Sequence, residues 1–335
     1  MKRYSVALLA TCAAACFAVQ PGRANDSSAE LAVGGLVFTK NTDVSIESED
    51  LSITPDTVTV RYVFLNQSPN PVTLTVAFPL PDIDLADGAN VAFPTGDPVN
   101  FTGFSTKVDG KAIDFTVNQR ATLDGKDITA TLNSMGIPLL PIGARQLRIN
   151  ELSQQTRDRA VNAGLLLQSG TNDKGVPLYE PTWTLKTSFV RQQTFPPGKQ
   201  VAVEHRYRTS VGVSFDSVLR QGLRQKKAME AEVRRYKTNY CIADDFLKSI
   251  DRLAGADEAN KTGIIERRIS YVLKTGANWA GPIKDFHLVV DKGQPDRIVS
   301  FCGDGVKKIS PTAFELRATD FTPARDLNII IVGRK

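Results

Sequence analysis

The stretch from Thr57 to Phe78 constrains the fold more than any other. Val58, Val60, Tyr62 and Phe64 alternate with Thr57, Thr59, Arg61 and Val63. After the turn cluster Asn66-Gln67-Ser68-Pro69-Asn70-Pro71, Val72, Leu74, Val76 and Phe78 alternate with Thr73, Thr75 and Ala77. A period of two sends successive side chains to opposite faces of a strand, so both runs predict strands with one buried face. The turn residues between them predict an antiparallel pair. Pro79 and Pro81 end the second strand, because proline has no N–H to give a ladder.

The same alternation recurs along the chain. Val108-Asp109-Gly110-Lys111 signals a tight hairpin. Trp183, Leu185, Thr187 and Phe189 resume the strands, Phe195-Pro196-Pro197-Gly198 turns the chain, and Val201, Val203, His205, Tyr207 and Val211 share one face. Late strands are expected over Ile264 to Leu273, Phe286 to Asp291, Ile298 to Cys302, Thr312 to Thr319 and Asn328 to Val332. Two segments change period. Asp127 is placed to cap a helix over Ile128 to Met135 with Gly136 closing it, and Leu147, Leu152 and Thr156 fit a further helix. Leu219, Leu223, Val233, Tyr236 and Tyr240, then Ile242, Phe246, Ile250 and Leu253, trace helical stripes. The predicted fold is mainly β: an antiparallel β-sandwich-like scaffold with helical insertions near 125–165 and 217–254. It is one large unit or two packed β units, over about 25–120 and 180–335, with the late strands completing a sheet begun near Trp183.

The first residues read as an export signal. Lys2 and Arg3 precede the uncharged run Val6 to Val19, and Gly22-Arg23-Ala24 carries small residues at the two cleavage-reading positions. The expected cut lies between Ala24 and Asn25, leaving a mature chain in the periplasm or outside the cell. The apolar run falls short of the ~20 residues that span a membrane. Lipidation at Cys12 or Cys16 is the alternative, although neither has the usual preceding residues. Removing the signal takes the net charge from +5 to +2, because Lys2, Arg3 and Arg23 leave and no acid does. That near-neutral balance argues against a nucleic-acid partner. It also leaves Cys241 and Cys302 as a pair, most simply a disulfide in an oxidising compartment, with two free buried thiols as the other reading.

Motifs for chemistry are sparse. Gly-x-Ser-x-Gly, His-Glu-x-x-His, the phosphate-binding loop and the dinucleotide fingerprint are absent. No catalytic, cofactor-binding or metal-ligating residue is assigned. His205 is a candidate polar residue on an apolar strand face, read either as a base or as a core histidine satisfied by a carbonyl or carboxylate. His287 alternates with Phe286 and Leu288 and is expected on the open face. Asn278 and Trp279 lie in the loop Lys274-Thr275-Gly276-Ala277-Asn278-Trp279-Ala280-Gly281-Pro282. They form either an open stacking and hydrogen-bonding pair for a sugar or peptide, or a turn whose Trp279 covers the core edge. Asp244 and Asp245 diverge on a helix and form no acid pair. Asp304 stands in a Gly303-Asp304-Gly305 turn. Arg220, Arg224, Lys226, Lys227, Arg234, Arg235 and Lys237 form either a solvated face or a surface for anionic lipid or glycan.

Several blocks carry a family resemblance. Asn25-Asp26-Ser27-Ser28-Ala29-Glu30-Leu31 with Gly34-Gly35-Leu36, Val76-Ala77-Phe78-Pro79-Leu80-Pro81-Asp82, and Lys126-Asp127-Ile128-Thr129 are three of them. His205-Arg206-Tyr207, Tyr271 to Trp279 with Gly281-Pro282-Ile283, and Val299-Ser300-Phe301-Cys302-Gly303-Asp304-Gly305 are others. Through these the mature chain resembles the bacterial family called domain of unknown function 4424. The resemblance implies an exported protein and names no reaction. Relatives carry an aromatic residue and an acid just before the Gln-Thr-Phe-Pro block. Here the stretch is Val190-Arg191-Gln192, so no catalytic acid is expected there.

The resulting functional reading leans away from an enzyme. It is an envelope binding module for a glycan, a peptide or a partner protein, without nucleic acid and without a transmembrane segment in the mature chain. A hydrolase of cell-wall or extracellular polymer, and a structural component of an envelope assembly, are the alternatives.

Overall fold

Alternation places the strands where the sequence predicts, and pairing then gathers them into three main sheets. The structure, a computed structural model, describes residues 26–32, 35–86, 91–143, 146–147, 149–255 and 263–334. The expected export signal, with its expected Ala24/Asn25 junction and with Cys12 and Cys16, lies outside the described residues.

The first sheet centres on Val72–Pro79 and Thr184–Phe195, antiparallel from Val72↔Phe195 to Pro79↔Ser188. Ser27–Ala32 extends one side and Thr116–Leu123 the other, and the short Ile83–Asp84 pairs with the start of Thr184–Phe195. The second sheet holds Val44–Ile53, Thr57–Asn66 and Gln200–Arg208 at its centre. Ile283–Asp291 joins it in parallel to Val44–Ile53, and Ala313–Phe321 pairs beyond. The third sheet runs Ile298–Phe301, Leu327–Arg334, Ile264–Tyr271, Val211–Ser214, Val91–Ala92. Asp109 and Gly110 adopt positive φ at 48° and 78°, the conformation a two-residue primed hairpin needs between Ser105–Val108 and Lys111–Ala112.

One apolar core joins the sheets. It contains Tyr62, Phe64, Phe78, Phe104, Trp183, Phe189 and Phe195 together with Ile269, Tyr271, Phe286 and Ile329. Phe104 and Phe189 stack with ring centroids 4.0 Å apart.

Strands from the stretches 25–120 and 180–335 pair with one another, and two other expectations need correction. Val72–Pro79 pairs with Thr184–Phe195, and Val44–Ile53 with Ile283–Asp291, so both sheets are woven from both halves. The late strands complete the second and third sheets, not the one containing Trp183. Val211 does not continue the face of Val201 to Tyr207. Thr209 and Ser210 break the strand, and Val211 begins one in the third sheet.

The helical insertions are shorter than their stripes. The first holds Thr129–Ser134 and Gln154–Asn162, the latter capped by Ser153 Oγ on Thr156 N. Asp127 accepts from Thr129 N at 2.8 Å, yet it belongs to a short strand and also pairs with Arg120. The second insertion breaks at 225–229 into Gln221–Arg224 and Glu230–Tyr240, followed by Asp244–Ala254. These helices cover the third sheet through a second cluster containing Leu219, Tyr236, Leu247, Ile250 and Ile330. Cys241 and Cys302 are joined, tying the end of Glu230–Tyr240 to the end of Ile298–Phe301. No helix among the described residues is long and apolar enough to cross a membrane.

Candidate functional site

The residues singled out by sequence converge on a buried knot. Asp26 is fully buried at the edge of the first sheet. Its carboxylate accepts from Arg191 Nη1 at 3.2 Å and Nη2 at 2.7 Å, and lies 3.0 Å from His205 Nε2. Its backbone oxygen accepts from Trp279 Nε1 at 2.5 Å, and Asn278 Nδ2 donates to Ser27 Oγ at 2.9 Å. Trp279 is 4% exposed, with its ring 4.7 Å from that of Phe64. The proposed open loop is therefore a closed one: Asn278 and Trp279 hold down the N-terminal strand and offer nothing to a ligand. The turn covering the core edge is the reading that describes it.

Electrostatics fix the charges in this knot. Burial alone would raise the Asp26 pKa, but the Arg191 guanidinium and His205 hold it far below the ordinary carboxylate range. Burial lowers the pKa of His205, against the opposing pull of Asp26. The imidazole is thus neutral at pH 7 and donates from Nε2 to Asp26 Oδ2. Its Nδ1 has no partner among the described residues, being enclosed by Tyr62, Phe78 and Phe104. A base would need contact with substrate; His205 and Asp26 both have side-chain exposure of 0%. His205 is a core histidine satisfied by a carboxylate.

A pH prediction follows from the sign of that shift. Below about pH 6.5 the unfolded chain binds a proton at this histidine more readily than the folded chain, so folding stability falls as pH drops through that value, by at most about 1.4 kcal/mol per pH unit. Urea midpoints at pH 8, 6.5 and 5.5 will show a steeper decline for the native chain than for His205→Gln. Parallel declines would refute the assignment.

The other candidates make local contacts. His287 is half-buried between Asp50 Oδ1 at 3.3 Å and Glu315 Oε1 at 2.9 Å, not on an open face. Arg220 pairs with Asp216, Arg224 with Asp251, Arg234 with Glu230 and Arg235 with Glu232. The basic segment is thus largely neutralised by its own neighbours. Asp304 stands in an exposed turn.

A cleft of about 300 Å³ opens where the three sheets and the helix Glu230–Tyr240 meet. Tyr207 and Val58 reach it from the second sheet, and Asp82 and Asp84 from the first. Gly212, Arg268 and Ser270 come from the third, and Arg235 and Tyr240 from the helix. Arg268 is held in place. Its Nη1 donates to Ser214 Oγ at 2.7 Å, Tyr236 Oη at 3.1 Å and Glu266 Oε1. Burial works against its charge, but Tyr236 and Glu266 outweigh that and keep its pKa above the ordinary guanidinium value. Gly212 faces it across the ladder, and a Cβ there would sit 3.1 Å from Nε and 3.2 Å from Nη2. The glycine thus leaves room for the guanidinium to lie over the strand. Burial pushes the Tyr240 phenol up to about 12, so it stays protonated. Thr102, in the same wall, is 1% exposed and its Oγ1 has no partner among the described residues. Buried hydroxyls are rarely left so.

A second cavity of about 440 Å³ lies beside Cys241 and Cys302, over Phe286, Leu316 and Phe321. Asp326, one of its few charges, is spent on the Lys274 amide. The three-sheet cleft combines apolar walls with converging polar groups, the usual character of a ligand site. Sequence reading passed over Arg268 and Asp84. One signal was available: Glu266, Arg267 and Arg268 interrupt an otherwise apolar strand, and buried charges require partners.

The family model for a domain of unknown function (DUF4424) matches residues 24–330. No curated protein matches the chain. Among solved structures, a Legionella pneumophila protein described as a "putative nutrient binding protein" is similar at 14% identity and a TM-score of 0.42. That match covers 88% of this chain and 68% of the other. An M1 zinc metallopeptidase from Deinococcus radiodurans is similar at 10% identity and a TM-score of 0.23, over 88% of this chain and 44% of that one. Likenesses this distant bear on neither ligand nor reaction.

Proposed function

The chain belongs to the DUF4424 family, and from that premise we propose that it is an exported, non-enzymatic binding module whose ligand enters the three-sheet cleft. The observation that carries this reading is the anchored guanidinium of Arg268 in a cleft whose lining also includes Thr102, a buried hydroxyl with no partner among the described residues. A cleft this size encloses a small polar molecule or the end of a longer one. The joined pair Cys241–Cys302 accords with an oxidising compartment. A hydrolase acting in the cleft would need acid–base groups there; His205 and Asp26 are sealed, and His287, between Asp50 and Glu315, is not among the residues that line it.

The test is ligand-dependent stabilisation of the mature protein. Pooled amino acids, short peptides and oligosaccharides are screened by thermal melting. A ligand at a hundred times its Kd raises stability by about 2.7 kcal/mol. The control is Ser270→Trp, which places a bulky ring at the cleft from an exposed position. It is expected to leave the unliganded Tm within a degree or two and to abolish the shift. A hit that shifts both proteins equally, or no hit in any pool, would remove the cleft from consideration.

A further inference from the structure

We infer that the occupant of the three-sheet cleft is a small zwitterion carrying a free carboxylate and a free ammonium, such as an amino acid or dipeptide; this rests on the binding reading above.

The inference comes from which charges in the cleft are already satisfied. Lys186 neutralises Asp82. Glu232 holds Arg235 through both Nε and Nη2. Setting these two pairs aside leaves Arg268, whose charge Glu266 already balances but whose other N–H groups are unused, and Asp84, which has no ion pair among the described residues. Arg268 uses Nη1 three times, while Nε and Nη2 make no hydrogen bond among the described residues. A guanidinium edge with two parallel N–H groups matches a carboxylate in bidentate geometry. Asp84 accepts one bond, from Ala86 N to Oδ1 at 3.0 Å, and its Oδ2 accepts none among the described residues. A free carboxylate oxygen suits an ammonium, which donates and does not accept.

The two groups belong to different sheets. Arg268 lies in Ile264–Tyr271 of the third sheet, and Asp84 in Ile83–Asp84 at the edge of the first. A ligand spanning them must carry opposite charges at its ends. The lining also includes the buried apolar Val58, Phe101 and Ile269 and the uncharged polar Thr102, Tyr207 and Ser270, so the rest of the ligand is uncharged. Glu266 neutralises Arg268 from behind and is 1% exposed. The local field therefore does not favour a bare anion, and the ammonium is needed as well. A neutral sugar would leave both Asp84 and the Arg268 edge without charged partners.

The experiment uses the mature protein and three matched dipeptide pools: free, C-terminally amidated and N-acetylated. Native mass spectrometry ranks the pools, and calorimetry measures the best free dipeptide with its two blocked forms. The expected result is binding of the free form, with about tenfold or greater loss on blocking either end. Asp84→Asn, at an exposed position, is expected to weaken the free form about tenfold and to leave the residual binding of the N-acetyl form unchanged. Ser270→Trp abolishes all of it. Equal binding of free and blocked forms, or binding of a neutral disaccharide with no free dipeptide bound, would overturn the zwitterion. If Ser270→Trp still abolished that binding, the cleft reading would stand. Binding of the amidated pool as tight as the free one would mean a simple amine, and would also overturn it. Dipeptide binding that Ser270→Trp does not alter would overturn both.

Discussion

Replacing Asp26 by asparagine is expected to destabilise the protein by about 3–5 kcal/mol, the range for breaking a buried pair on one side. The reason is what remains. Arg191 has a side-chain exposure of 4% and would keep its charge with no counterion, facing an amide that offers one acceptor where two oxygens stood. The His205 Nε2 donor would lose its carboxylate in the same step. The measurement is urea unfolding followed by tryptophan fluorescence, since Trp183 and Trp279 are both buried. The midpoint falls while the slope m is unchanged, because the surface exposed on unfolding is the same. Adding Arg191→Leu to the Asp26 substitution, with leucine at both positions, is expected to restore part of the loss, because apolar pairs often replace buried ion pairs without penalty. A cost below about 1 kcal/mol for Asp26→Asn would show that the pair is solvated. Acid does the same work as the substitution. The folded pKa of Asp26 lies below its unfolded value, so its contribution is complete above about pH 4 and is lost as pH falls toward the folded value.

The second large effect is expected from the double substitution Cys241→Ser and Cys302→Ser. The bond closes a loop with a sequence separation of 61, for which chain entropy gives about 4 kcal/mol. What it joins matters as much as the loop length. Cys241 ends the helix Glu230–Tyr240 in the left-handed region, at φ 50°, and Ser300 Oγ donates to the Tyr240 carbonyl at 2.9 Å. The bond therefore clamps the helix to the third sheet at its last turn. Arg235 and Tyr240 of that helix form one wall of the cleft. Serine at both positions is expected to lower the urea midpoint and also to weaken ligand-induced stabilisation. Non-reducing mass spectrometry of the native protein checks the linkage directly. Two free thiols in the protein isolated without reductant, or a loss under about 1 kcal/mol, would count against it.

Much of the fold is legible residue by residue. Thr57 to Phe78 reads as two strands, and the structure places strands at Thr57–Asn66 and Val72–Pro79. Asp109-Gly110 reads as a hairpin and adopts one. The strand Val44–Ile53 is not legible, because Glu47, Glu49 and Asp50 interrupt its pattern. The structure buries Glu49 to 1% near Tyr62 and Tyr271, whose phenols it helps to push up, and a register shift between Ile46 and Ser48 absorbs the irregularity. The knot was half legible: His205, Asn278 and Trp279 stand out in the sequence, while Asp26 and Arg191 do not. Asp26 is 165 residues from Arg191 and 179 from His205, and no local pattern links positions so far apart.

The sequence by itself determined the β class, most of the strand positions, the turns and the family blocks. These depend on backbone geometry and on local alternation, and a period of two specifies which side chains turn inward. The tertiary structure decided what those inward faces meet. It closed Asn278 and Trp279 over the N-terminal strand and sealed His205 against Asp26. It also set the Arg268 edge and Asp84 in one cleft. The physical reason is that burial, pairing and charge satisfaction are properties of neighbours in space, and in this chain those neighbours are far apart in sequence.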